Sequence, residues 1–234
     1  MRGRCTLSKP NMKTVLSFLF LTFYLSAFSQ NQKPEIKLCP LCLVDEFSFP
    51  TIQGGIEFYL TKKLSLYNEI GIKYRKGYYE TADTSFIGSK GFKIKTELRY
   101  FIATNEDCSK NTYIAVNGFY NKDTHNTEIG YYYKGDSSKS RYDNFGVKKA
   151  VIGSNLLIGY EKLIGNRFSY DLYGGIGVRF VDISSVNKEF DKNLDKLQQP
   201  MDVTIVGMRD RVDAYEKPDN IFNLTLGIRL CYAL

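Results

Sequence analysis

His125 is the single histidine of the chain, and histidine is the side chain best placed to move protons near neutral pH. It stands in the polar stretch 121–127, and Ser137, Ser138, Ser140 and Asp143 follow shortly after it. A nucleophilic triad needs nucleophile, base and orienting acid within hydrogen-bond reach. Nothing in this spacing selects such a set. His125 is therefore expected to be a solvated loop residue, and the chain is not expected to be an enzyme.

Cys39-Pro40-Leu41-Cys42 has the spacing of a redox pair or of half a zinc site. A second pair at matching spacing is missing, and no βαβ pattern surrounds it. If residues 35–43 are extended, Cys39 and Cys42 point to opposite faces and do not pair with each other. Ile36-Lys37-Leu38 is the wrong lead-in for a lipobox at Cys39. Gly153, Gly159, Gly174, Gly175 and Gly177 precede no helix, so a phosphate-loop reading fails; within strands they permit bends or close packing. No metal or cofactor is expected.

The charged residues carry a stronger pattern. In 92–102, Phe92, Ile94, Leu98, Tyr100 and Ile102 alternate with Lys93, Lys95, Glu97 and Arg99. In a strand such residues lie on opposite faces. The split recurs in 168–180 and 222–232, and less cleanly in 52–60, 64–75, 112–121 and 147–163. Residues 35–43, interrupted by Pro40, make a weaker first strand. The polar faces collect Glu57, Glu69, Lys73, Arg75, Lys93, Lys95, Glu97, Arg99, Glu161, Asp171, Arg179 and Arg229. Both signs are interspersed. Buried charges persist only when paired, so these twelve are expected to form a cross-strand salt-bridge network inside a closed barrel.

The connections alternate in length. Short ones fall at 61–63, 103–111 and 164–166, an intermediate one at 44–50, and long ones at 76–90, 122–146 and 183–219. That rhythm, with strands of about ten residues, is the signature of a transmembrane barrel with short periplasmic turns and long external loops. The expected fold is all-β: an antiparallel up-and-down transmembrane β-barrel of eight strands. A soluble lipocalin-like barrel alternates too, with its apolar face inward. Broad apolar faces, small and oppositely charged polar faces, and Tyr near strand ends (Tyr74, Tyr100, Tyr131 to Tyr133, Tyr160) favour the membrane form.

An export signal agrees. Arg2, Arg4, Lys9 and Lys13 precede the apolar stretch 15–25, which is too short to span a bilayer as a helix, and Ala27-Phe28-Ser29 suits cleavage before Gln30. Residues 1–29 are thus expected to be a signal peptide, with Met12 an alternative start, and 30–234 the barrel domain. Removing the leader's four basic residues takes the formal charge from +7 to +3. So small a charge, spread along the chain, gives no case for nucleic-acid binding.

The stretches GGIEFYLTKKLSLYNEIGIKYRKGYY (54–79), NLLIGYEKLIGNRFSYDLYGGIGVRF (155–180) and NLTLGIRLCYAL (223–234), with the leader ending AFSQ, resemble the small outer-membrane barrels of uncharacterised function found in Bacteroidetes. The resemblance implies an outer-membrane barrel and brings over no functional residues. Such barrels usually end in an aromatic residue; here Leu234 follows Tyr232.

Three roles stay open at this level. A non-catalytic structural, surface-interaction or binding barrel leads. A narrow channel or small-molecule uptake barrel is the alternative, and a membrane-embedded enzyme comes third. The partners expected are outer-membrane lipid, the barrel-insertion machinery and an external ligand at the 183–219 loop, with the barrel a monomer. In that loop Val186, Phe190, Leu194 and Leu197 are spaced as one stripe of a short helix, and 201–207 as a strand extension.

Overall fold

The alternation of apolar and polar residues is realised as strands nearly throughout. The computed structural model describes residues 33–44, 49–74, 87–102, 112–198 and 219–234. Its strands are β1 (Glu35–Leu38), β2 (Thr51–Tyr59), β3 (Leu64–Lys73), β4 (Ile87–Phe101), β5 (Thr112–Tyr132), β6 (Ser140–Leu163), β7 (Phe168–Val186), β8 (Lys196–Leu197) and β9 (Asp219–Ala233). Every pairing is antiparallel. β1 to β7 follow one another as neighbours, and β9 sits between β7 and β1, so eight strands close into a ring. The two-residue β8 lies outside the ring, paired to the end of β5. Among the described residues, no helix is long and apolar enough to cross a membrane.

Register fixes which side chains point where. Apart from Ile87↔Asn126, beyond a register shift in β4, each strand pair matches even-numbered residues with even and odd with odd, as in Leu66↔Leu98, Leu98↔Val116 and Val116↔Leu156. The even-numbered residues form the outer face all round. That face is apolar and exposed: Ile52 is 62% accessible, Leu156 64% and Leu226 76%. The odd-numbered face is inward, and Arg99, Arg229, Glu57, Glu97 and Asp171 there are each 0% accessible.

The long strands β5, β6 and β7 change character part-way. Beyond Tyr120 the outward residues of β5 are Lys122, Thr124, Asn126 and Glu128, while the inward ones become apolar at Ile129 and Tyr131. Ile129, Tyr131, Phe145, Val147 and Phe190 form a buried cluster, with Tyr133, Ile183 and Leu197 against it. The lower part is thus apolar outside and ionic inside; the upper part is polar outside and apolar inside.

Several expectations are corrected by this arrangement. Residues 122–146 are not a loop: β5 runs to Tyr132, β6 starts at Ser140, and a tight turn at Tyr133–Gly135 joins them. The reason is that 122–128 is polar on both faces and the apolar residues beyond it, such as Ile129, Tyr131, Phe145 and Val147, face inward, so no outward grease marks these strands. In that turn region Asp136 accepts the hydroxyl and backbone N–H of Ser138, which hold its carboxyl below the usual range. Of the long connection at 183–219, residues up to Val186 complete β7 and Lys196–Leu197 is β8. The expected helical stripe is absent. Phe190 is buried with its ring 5.6 Å from Tyr131, Leu197 packs at the cluster edge, and Leu194 is exposed. Of the loop at 76–90, residues 87–90 belong to β4.

β1 is also shorter than expected. After Leu38 the chain turns into a 3-10 helix, Pro40–Val44, which brings the Cα atoms of Cys39 and Cys42 to 5.5 Å, and the two form a disulfide. The expectation that they cannot pair assumed extended backbone through residue 43, and that assumption fails at Pro40. Arg75, the expected signal peptide at 1–29, the expected connection at 103–111 and the expected strand extension at 201–207 lie outside the described residues.

Candidate functional site

The ring's interior is the most elaborate chemical feature of the molecule. Alternation on β1, β2, β3, β4, β6, β7 and β9 sends charged side chains to one level of the lumen. Arg229 donates from Nε to Glu69 at 3.0 Å, from Nη2 to Glu97 at 2.9 Å and from Nη1 to Asp171 at 3.1 Å. Arg99 reaches Glu97 from Nε at 2.8 Å, Glu57 from Nη1 at 3.2 Å and Asp171 from Nη2 at 3.0 Å. Lys37 lies 2.6 Å from both Glu57 and Glu161, and Lys95 is 3.0 Å from Glu69.

Neutral donors complete these contacts. Tyr113 donates to Asp171 at 2.7 Å, Ser65 to Glu57, and Tyr67 and Gln53 to Glu69. The guanidiniums also stack on aromatic faces: Arg99 on Tyr67 and Tyr113 at 4.8 and 4.6 Å, Arg229 on Tyr67 and Tyr173 at 4.6 and 3.8 Å. Moving an unpaired ion out of water costs several kcal/mol on the order of magnitude seen in proteins. The fork geometry of arginine, matched to several carboxylates at once, offsets that cost.

Close packing comes from glycine at chosen points. Asn155 donates to Asn117 at 2.9 Å and Asn223 to Asn155 at 2.7 Å, forming an amide chain that passes over β7 at Gly177. A Cβ at Gly177 would lie 2.4 Å from the Asn155 Oδ1. The ring of Tyr173 lies on Gly227 in the same way, with 2.2 Å to a hypothetical Cβ.

Nine of the twelve expected lumen residues are inward and appear in described ion pairs: Glu57, Glu69, Lys95, Glu97, Arg99, Glu161, Asp171 and Arg229 in the central network, and Lys73 higher up. Lys93 is also inward, donating to the Phe49 carbonyl at 2.8 Å. Arg179 points inward above the amide chain, across from Gly153. Arg75 is outside the described residues. Sequence reasoning missed Lys37, which is fully buried. The signal was there, since Glu35-Ile36-Lys37-Leu38 alternates in the same phase as the other strands.

His125 is the second miss. It is inward on β5 and 4% accessible, not in a solvated loop. Its Nδ1 is 3.1 Å from Asp123, which also takes Lys73 at 2.8 Å and the Ser89 hydroxyl at 3.3 Å. The serines that follow it in sequence are elsewhere: Ser138 bonds to Asp136, and Ser140 receives the Gln198 amide. Asp143 accepts the backbone N–H groups of Glu189 and Phe190 at 2.7 and 2.9 Å. With Ser89 donating to a carboxylate, the cluster has the bonding of a buried polar brace.

Glu35, Glu161 and Cys231 bring three ligand-type atoms within 4.8 Å of one another. The Lys37 ammonium is 2.6 Å from Glu161 and 3.7 Å from Glu35, so the cation at this place is the protein's own.

Fold and interior together define an eight-stranded up-and-down antiparallel ring, apolar outside and ion-paired within. The chain belongs to the family described as "Protein of unknown function (DUF3575)", whose model matches residues 17–203. No curated protein and no solved structure matches it.

Proposed function

We propose that the chain is an outer-membrane β-barrel, exported by its first 29 residues, with a structural, surface-interaction or binding role and no catalysis. One observation carries the membrane part: the even-numbered face of the ring is broad, apolar and exposed, while the charged face is turned in and paired. Placing such an outer face in water would leave some thirty large apolar side chains hydrated; hydrocarbon is the solvent that suits them. Closure of the ring supports it too, since a barrel leaves no unpaired edge in lipid.

The filled lumen favours a non-conducting barrel over a channel. Arg99 and Arg229 bridge across the interior at 0% accessibility, where a pore would need water. The upper, inverted part of β5 to β7 then stands outside the bilayer, as a rigid external platform for an interaction partner. The test is heat-modifiable migration of membrane-extracted protein on a gel. A folded, faster-running band that converts on boiling is the expected result. A single band recovered from the soluble fraction would count against the reading.

A further inference from the structure

The outer face passes from apolar to polar at a definite residue on each long strand. On β4, Phe92 and Ile94 are preceded by Lys90; on β5, Val116 and Tyr120 are followed by Lys122; on β6, Ile152 is preceded by Ala150 and Lys148. The first charged outward side chain beyond the apolar band is thus a lysine on three consecutive strands.

Register brings the three together. Lys90 and Lys148 both pair with Thr124 from either side, and Lys122 pairs with Phe92 and Ala150. Lys122 is therefore the diagonal neighbour of both other lysines, at about 7–8 Å. All three are exposed, and none makes an ion pair with a described residue. The nearest outward acid in register is Asp182, opposite Ala150 and diagonal to Lys148, so among the described residues the patch holds three cations and one anion. Phe92, level with Lys122, and Tyr120, one step below it on β5, have ring centroids 5.9 Å apart. Three lysines against one outward acid among the described residues, held on a rigid wall beside an aromatic pair, match an amphiphile whose anionic group sits at the bilayer surface and whose chains run down into hydrocarbon.

We propose that Lys90, Lys122 and Lys148 form a binding site for the phosphate group of an anionic membrane lipid, with Phe92 and Tyr120 beneath its glycerol or sugar backbone. This rests on the membrane reading above. It gives the barrel's outer wall a preferred lipid on the side of the inverted platform.

The test uses the full chain folded in a neutral detergent and titrated with phosphatidic acid, with lipid retention read by native mass spectrometry. Beside the wild type stand the triple variant Lys90→Gln, Lys122→Gln, Lys148→Gln and a control, Lys162→Gln, an exposed outward lysine at the other end of β6. The triple variant should bind phosphatidic acid at least tenfold more weakly and the control unchanged, with phosphatidylcholine equally weak for all three proteins. Millimolar inorganic phosphate should not displace the lipid; displacement would mean a site for a free anion and overturn the proposal. Equal retention by wild type and triple variant would also overturn it. Heat-modifiable migration is run in parallel: unaltered retention with a folded barrel removes the lysine site alone, whereas no folded barrel in any sample removes the membrane reading with it.

Discussion

Arg99 and Arg229 hold the same carboxylate oxygen: Asp171 Oδ2 is 3.0 Å from Nη2 of Arg99 and 3.1 Å from Nη1 of Arg229. Glu97 bridges the same two guanidiniums with its other pair of contacts, at 2.8 and 2.9 Å. Two cations and two anions thus close a cycle that ties β4, β7 and β9 across the lumen. None of the four side chains touches solvent.

Removing one member of that cycle should be costly. Asp171→Asn keeps the shape but withdraws one negative charge from two buried guanidiniums, and the expected loss is roughly 3–5 kcal/mol, the range for breaking a buried ion pair. Urea titration followed by the folded band on a gel would measure it. In a double-mutant cycle with Arg229→Met the two losses should fall well short of additive, since the pair shares one interaction. Full additivity would mean that the two residues do not act together.

Little steady conductance is expected from the reconstituted protein. The lumen is occupied by arginines stacked on Tyr67, Tyr113 and Tyr173, and opening a path would require breaking several charge-assisted contacts at once. Planar-bilayer recording checks this. Stable openings of one size would replace the filled lumen with a pore.

The segment between β7 and β8 should matter to the platform and not to the ring. Phe190 sits against Tyr131 at 5.6 Å and its N–H is held by Asp143, so Phe190→Ala should cost about 3–5 kcal/mol of local packing. Because that cluster lies above the ionic lumen, the loss should appear as faster hydrogen exchange in residues 127–147. The heat-resistant band should stay. Disappearance of that band would show that the upper cluster and the ring fold as one unit.

Thiol chemistry should follow the observed pairing. Cys39 and Cys42 are joined, and Cys231 is buried. Native protein should therefore take up no alkylating reagent at these three positions. Reduction should expose two of them, and denaturation the third, assigned by peptide mass mapping so that Cys108 is counted apart.

How much of this was legible in the sequence depends on the sign of the alternation. Where polar and apolar residues alternated with grease on the even positions, as in Phe92 to Ile102, strand, face and lumen charges could all be assigned. From Lys122 to Glu128 both faces are polar, and apolar residues return only on the inward face at Ile129 and Tyr131, so this stretch, His125 included, has the pattern of a loop. Lys37 was lost because Pro40 spoiled the pattern of a strand only four residues long, and the Cys39–Cys42 pairing was lost with the turn that Pro40 begins. What no local pattern could reveal is which carboxylate meets which cation: Lys37 and Glu161 are 124 residues apart in the chain, and only ring closure makes them neighbours.

The orientation of the two faces is open to a direct test. Ile176 is 54% accessible on the even face of β7, near the middle of the strand. Gly175 next to it is unsuited to a probe, because a Cβ there would come 2.1 Å from the Leu156 carbonyl oxygen. Thr225 pairs with Gly175 across β9 and presents an inward side chain of modest size, so it reports the lumen instead. A spin label on Ile176→Cys should be quenched by oxygen, which concentrates in hydrocarbon, and spared by a water-soluble nickel complex. A label on Thr225→Cys should be shielded from both. Placing Arg at position 176 should then cost roughly 2–4 kcal/mol, the penalty for a cation near the bilayer midplane. If the Ile176 label were instead quenched by the nickel complex in vesicle-bound protein, the apolar face would be meeting water, and the membrane assignment would fall along with every prediction that depends on lipid.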